Sequence, residues 1–165
     1  MSLKLAIGRE EPKEVRRTDV RNLVRFYVGE TCYAFDVGAV EEVANPTTIT
    51  SLPGMAGGVA GVTDHRGRVI PVVDLRARFG LPLSMTRQTK WVLMRSTYGL
   101  VGFIVDRVVD VVAAHGPLGA PPQLGAAEAT RGITGVASFD GLLVFVLDED
   151  TAASVVANLS LPDVT

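Results

Sequence analysis

Two histidines, His65 and His115, and one cysteine, Cys32, are the side chains of this 165-residue chain best suited to nucleophilic, acid–base or metal chemistry. Hydrolysis or group transfer needs a nucleophile with its base in hydrogen-bond reach. No serine elbow, Cys/His motif or glycine-rich phosphate loop accompanies them. Asp64 and His65 are neighbours, and neighbours in a strand point to opposite faces. Two histidines, one cysteine and scattered acids do not form a metal-ligand spacing. The residues therefore argue against an enzyme and predict no metal and no cofactor. What remains is recognition chemistry at turns. Arg66, preceded by Asp64-His65, is the first candidate.

The elements that must position these residues are short strands. Leu23–Val28 alternates, Gly29-Glu30 suits a two-residue hairpin, and Thr31–Asp36 continues the alternation. Val40–Ala44 is a third strand. Val59–Asp64 and Arg68–Val73 pair around Arg66-Gly67, with Pro71 requiring an edge or a bulge. Asp74 caps a short helix over Leu75–Phe79 that Gly80 ends. Trp91–Arg95, Leu100–Val105 and Val108–Ala113 repeat the first three strands. Ile133–Phe139 and Leu142–Leu147 pair through Asp140-Gly141, a type I′ hairpin signal. A helix over roughly 149–159 closes the chain, with Ala152, Val155, Val156 and Leu159 on one face. Residues 1–22 read as a charged, flexible tail, with a partner-binding arm as the alternative.

Composition agrees with a small globular protein. Apolar residues make up 47%, charged residues 21%, and the net charge is −2. No apolar run is long enough to span a membrane, and no basic stripe suits nucleic acid. A lone cysteine and a polar start fit a cytoplasmic location.

An internal repeat organises the elements. Gly58-Val59-Ala60-Gly61-Val62 aligns with Gly132-Ile133-Thr134-Gly135-Val136, Gly67 with Gly141, and Asp74 with Asp148. A second block aligns Phe35 with Phe103, Glu42 with Asp110 and Val43 with Val111. Two matching sets of about five strands predict two small barrels from a duplicated unit. The division expected is barrel one over 23–80, barrel two over 81–148 and the closing helix after it. Arg66 faces Asp140 in this alignment, so the fold does not require an arginine there. That asymmetry nominates Arg66 for recognition, whereas Glu42 has an acidic counterpart in Asp110.

Tyr33-Ala34-Phe35 is followed by Val40-Glu41-Glu42-Val43, then Leu52-Pro53-Gly54, Val59–Val62, Arg66-Gly67 and Pro71–Arg76. Val101–Asp106 with Val108 comes later. In this order and spacing the stretches resemble the signature of CheW-like domains, over roughly residues 23–159. The resemblance implies a mostly all-β fold of two SH3-like five-stranded barrels sharing a core. It implies a non-enzymatic adaptor between the signalling tip of a chemoreceptor and the regulatory domain of a CheA-type histidine kinase. It implies a receptor groove between the barrels and a kinase-binding barrel end. Arg66 resembles the family's recognition arginine, and Glu42 and Val43 resemble its upstream motif. Asp64-His65 departs from the Asn-Leu that the family often carries. Asp64 is expected to hold the Arg66 guanidinium, and His65 to change the groove's polarity.

Other readings differ in class. A proline-rich-peptide module needs clustered exposed aromatics, and aromatics are 6% of the chain. A small enzyme lacks its catalytic set. The charged start, closing helix and short tail fit a complete protein, monomeric or weakly self-associating, better than a domain cut from a kinase.

Overall fold

A computed structural model describes residues 20–55, 57–121, 132–157 and 159. Ten strands follow in order: β1 (Val20–Val28), β2 (Thr31–Asp36), β3 (Val40–Ala44), β4 (Val59–His65), β5 (Arg68–Asp74), β6 (Lys90–Ser96), β7 (Gly99–Val105), β8 (Arg107–His115), β9 (Ile133–Phe139) and β10 (Leu142–Leu147). Helix α1 spans Leu75–Arg78 and α2 spans Glu149–Ala153, with 3-10 turns at Val37–Ala39 and Ser154–Val156. The strands form two five-stranded sheets, ordered β9-β10-β2-β1-β8 and β3-β6-β7-β5-β4.

The expected division at residue 80 does not describe these sheets. Each repeat contributes its third, fourth or fifth strands to one sheet and its opening hairpin to the other. Hairpin β1–β2 lies with β8, β9 and β10, and hairpin β6–β7 lies with β3, β4 and β5. Parallel pairings join the halves, Phe145 beside Tyr33 and Val73 beside Phe103. The repeat alignment identifies equivalent elements but not the sheet that receives them. Exchanging the two hairpins leaves each sheet with the same set of strands.

The repeat itself is plain in the backbone. β4 and β9 each break register before a glycine, Gly61 or Gly135, and that glycine lets a loop approach. Thr50 bridges to Val62 on the first and Gly119 to Val136 on the second. A Cβ on Gly61 would lie 2.4 Å from the Thr50 carbonyl oxygen. The Asp74 N–H donates to the Gly58 carbonyl at 2.7 Å, and the Asp148 N–H to the Gly132 carbonyl at 2.9 Å. Each aspartate then caps its helix, accepting from Arg76 N–H or Thr151 N–H. Burial raises the pKa of Asp74, while bonds from the backbone of Arg76 and Ala77 oppose the rise.

Alternation in the strands produces three interiors. Phe26, Phe35, Val92, Met94, Phe103, Leu147 and Ala152 meet between the sheets. Phe35 stacks on Phe26 at 5.3 Å and meets Phe103 of the other sheet at 5.2 Å. Leu23, Cys32, Ala34, Val144 and Val146 fill one barrel, and Ile70, Val72, Trp91 and Leu93 fill the other. Cys32 is buried there as a packed residue, and burial pushes its thiol pKa up. Asp106 ties the parts together: it accepts from Gly29 N–H at 2.6 Å and pairs with Arg76 at 2.5 Å.

Three boundaries differ from expectation. β1 begins at Val20, so the last three residues assigned to the tail form a strand, and residues 1–19 lie outside the described part. The closing helix is shorter than 149–159 and finishes as a 3-10 turn at Val156. Its apolar face is as expected, with Ala152 and Val156 buried on the shared core. Pro71 lies in an inner strand rather than at an edge. The ladder from β5 to β7 begins one residue later, at Val72, so its missing N–H interrupts no pairing there.

Candidate functional site

The β4–β5 hairpin makes the most distinctive surface feature. Its turn residues Arg66 and Gly67 have φ of 54° and 84°. Two left-handed residues in a row suit the twist of a tight hairpin. Asp140 and Gly141 repeat the geometry in the other sheet, at 52° and 81°. Glycine, asparagine and aspartate accept that conformation readily, whereas another L-residue loses about 1–2 kcal/mol. Arg66 is thus a poor choice for the turn that it occupies.

Asp64 does not hold the Arg66 guanidinium. Its Oδ1 accepts from Gly67 N–H at 2.9 Å and closes the turn. The carboxylate that meets Arg66 is Glu42, on the other edge strand of the same sheet. Arg66 Nη1 lies 3.1 Å from Glu42 Oε1, and Nη2 donates to Oε2 at 3.2 Å. A register break in β3 between Val40 and Glu42 precedes the residue. Since β3 and β4 end the sheet order, Glu42 and Arg66 bridge the seam of the barrel. Lower on the seam, Thr63 Oγ1 donates to the Thr48 carbonyl at 2.8 Å and meets Thr47.

His65 enters the same cluster. Its Nε2 sits 3.4 Å from Glu42 Oε1, is itself buried and makes no hydrogen bond. The Arg66 side chain is 71% exposed, against 27% for Glu42 and 18% for His65. An ion pair this exposed contributes little stability. Val43 is exposed and, as a strand neighbour of Glu42, points to the opposite face. The structure therefore gathers Glu42, His65 and Arg66, uses Asp64 in the turn, and leaves Val43 on a separate surface.

The acidic counterpart of Glu42 behaves differently. Asp110 takes both bonds from Arg25, each at 2.7 Å, and Arg25 packs over the Phe139 ring. That hydrogen bonding lowers the pKa of Asp110 and raises that of Arg25. The Arg25 side chain is 15% exposed, so this arginine is committed inward.

Sequence reasoning missed one contrast. Beyond the Asp140-Gly141 turn, Leu142 and Leu143 are both exposed. Their repeat counterparts are Arg68 and Val69. One hairpin tip therefore carries Arg66 and Arg68, and the other two exposed leucines beside Asp140. Two leucines in succession on an alternating strand were the available signal, because one of them had to face outward.

Among the described residues no cluster could hold a metal, and His65 Nε2 lies 3.4 Å from a carboxylate oxygen, that of Glu42. The arrangement suits binding: an exposed guanidinium, held loosely by one carboxylate, at the tip of a rigid hairpin.

A family model described as "CheW-like domain" matches residues 22–156. The chain belongs to the CheW-like domain family. "Chemotaxis protein CheW" of Helicobacter pylori is 28% identical over 61% of this chain and 61% of its own length. The protein of that name in Thermotoga maritima is 36% identical over 54% of this chain and 60% of its own length. The chain thus spans about three fifths of these two relatives. "Protein PilI" of Pseudomonas aeruginosa is 35% identical over 52% of this chain and 48% of its own length. The solved "scaffolding protein TtCheW" from Thermoanaerobacter tengcongensis superposes with a TM-score of 0.74 at 25% identity. It covers 80% of this chain, and 91% of that chain is covered. Two SH3-like barrels around one core are thus the fold of this CheW-like chain.

Proposed function

We propose that the chain is a non-enzymatic cytoplasmic adaptor that couples the signalling tip of a chemoreceptor to the regulatory domain of a CheA-type histidine kinase. The reading rests on family membership and on relatives named as chemotaxis and scaffolding proteins. The observation that carries it is Arg66. A turn built for asparagine or glycine keeps an arginine, and that arginine stands 71% exposed at the hairpin tip. Backbone strain retained at an exposed charged residue points to recognition. Arg66 is the partner-binding residue in this account. Glu42 positions it, Asp64 shapes its turn, and His65 shares its carboxylate. Val43 contributes apolar contact on the opposite, separate face of β3.

The two tips fit two partners of different chemistry. Arg66 suits an acidic partner group. Leu142 and Leu143 suit an apolar one, the kinase contact in this account. Coupling between two binding sites is reciprocal, so a change at one partner biases the other. Contacts of about 10⁻⁶ M suffice when an array adds avidity.

Titration calorimetry against a receptor cytoplasmic fragment and a kinase regulatory domain, both from the same source, tests this. Binding of both, with the receptor fragment weakened at least fivefold by Arg66→Ala and the fold intact, is the expected result. Binding that ignores Arg66→Ala moves the site, and no binding to either partner removes the coupling role.

A further inference from the structure

The buried, unpartnered Nε2 of His65 faces a carboxylate that already serves Arg66. We propose that His65 is a proton-controlled competitor for Glu42, releasing Arg66 to an acidic partner group as the pH falls. The inference rests on the recognition role of Arg66 given above and adds its regulation.

Neutral, an imidazole has one N–H, and the Nε2 of His65 makes no bond. Protonated, both nitrogens are donors. Glu42 Oε1, 3.4 Å from Nε2 and outside hydrogen-bond geometry, is then the ion-pair partner of the charged ring. The same oxygen lies 3.1 Å from Arg66 Nη1. The Glu42–Arg66 pair is neutral as a unit, and protonation of His65 makes the trio net positive. The imidazolium attracts Glu42 Oε1 from the buried side and repels the guanidinium, which keeps only its bond to Oε2. Arg66, already mostly exposed, loses its hold on the clamp, and the site becomes more attractive to an anion.

The surrounding charges leave this exchange in place. On β3, Glu41 is engaged by Arg95 of β6 at 3.4 Å. On β4, Asp64 is committed to Gly67 N–H. On β5, Arg68, an exposed cation, is the register partner of His65. The loop 45–50 that covers β4 carries no titratable side chain.

Nuclear magnetic resonance of the partner-free protein decides the gate without a partner. Between pH 8 and 5.5, the Glu42 carboxyl and Arg66 guanidinium signals are expected to move with the His65 ring. They stay still in this range in His65→Leu. Calorimetry with the receptor fragment reads the consequence. Binding is expected to be about fivefold tighter at pH 6 than at pH 8, the factor one added charge about 4 Å away supplies in water. His65→Leu, which places an aliphatic residue at this position, should lack that gain. Glu42→Gln should bind at pH 8 as the unsubstituted protein binds at pH 6. Glu42 and Arg66 signals that ignore the His65 titration overturn the proposal, as does an equal pH gain in His65→Leu. Absence of binding at every pH counts against the adaptor reading, and the resonance arm still decides the gate.

Discussion

Replacing Arg66 by asparagine separates the needs of the turn from those of a partner. Arginine at φ 54° holds a conformation that costs an ordinary L-residue about 1–2 kcal/mol, and asparagine recovers much of that through its short, locally bonding side chain. Against this stands the lost pair with Glu42. With the Arg66 side chain 71% exposed, that pair contributes about 0–1 kcal/mol. The balance favours Arg66→Asn by about 0.5 kcal/mol. In a domain of this size, that raises the melting temperature by about 1–2 °C. Thermal and urea unfolding followed by circular dichroism measure it, with Asp140→Asn as a control that changes little. The same variant should lose affinity for the acidic partner by about fivefold or more, since exposed arginines at interfaces are often energetic anchors. A fall of more than about 3 °C would refute the reasoning. It would mean that the guanidinium holds the barrel seam together and that its exposure carries no functional meaning.

Three further outcomes follow from the geometry. Gly61→Ala should destabilise by about 2 kcal/mol or more, because its Cβ meets the Thr50 carbonyl oxygen at 2.4 Å, whereas Gly135→Ala meets the Leu118 side chain at 2.7 Å and should cost less; denaturant titration of both variants checks the order. Asp110 has its pKa lowered by Arg25, so its contribution is present above the ordinary carboxylate range and lost as pH falls. The stability gap between the unsubstituted protein and Asp110→Asn should therefore close on acidification from pH 6 to 3, and a gap independent of pH would contradict it. Asp74 has its pKa raised by burial, so its effect has the opposite sign: stability is lost as pH rises through its folded pKa. Asp74→Asn keeps a capping oxygen and should gain stability relative to the unsubstituted protein from pH 3 to 7, with a constant difference as the refuting result.

Much of the fold was legible because its signals are local. Asp140-Gly141 and Arg66-Gly67 predict their turns, Asp74 and Asp148 predict their helix starts, and the aligned glycines predict the repeat. Each depends on residues close in sequence. The exchange of hairpins β1–β2 and β6–β7 between sheets was not legible, because a strand's alternation specifies which face is buried but not its neighbour. Half of the site was legible by the same rule. The asymmetry between Arg66 and Asp140 nominated the arginine for recognition, and the structure places its side chain exposed at the hairpin tip. Its clamp was misread, since Asp64 is near in sequence while Glu42 is near only in space. Once Asp64 is seen to be used by Gly67 N–H, the seam between β3 and β4 supplies the carboxylate.

The central claim is that this chain joins two partners at once. Co-sedimentation of a kinase regulatory domain with an immobilised receptor cytoplasmic fragment, with and without the chain, tests it most directly. The account predicts that the kinase domain is retained only when the chain is present, and that Arg66→Ala releases the kinase domain by breaking the receptor contact while leaving the binary complex of chain and kinase intact. Binding of the two partners that is mutually exclusive would contradict it, because a chain that holds one partner at a time cannot couple them.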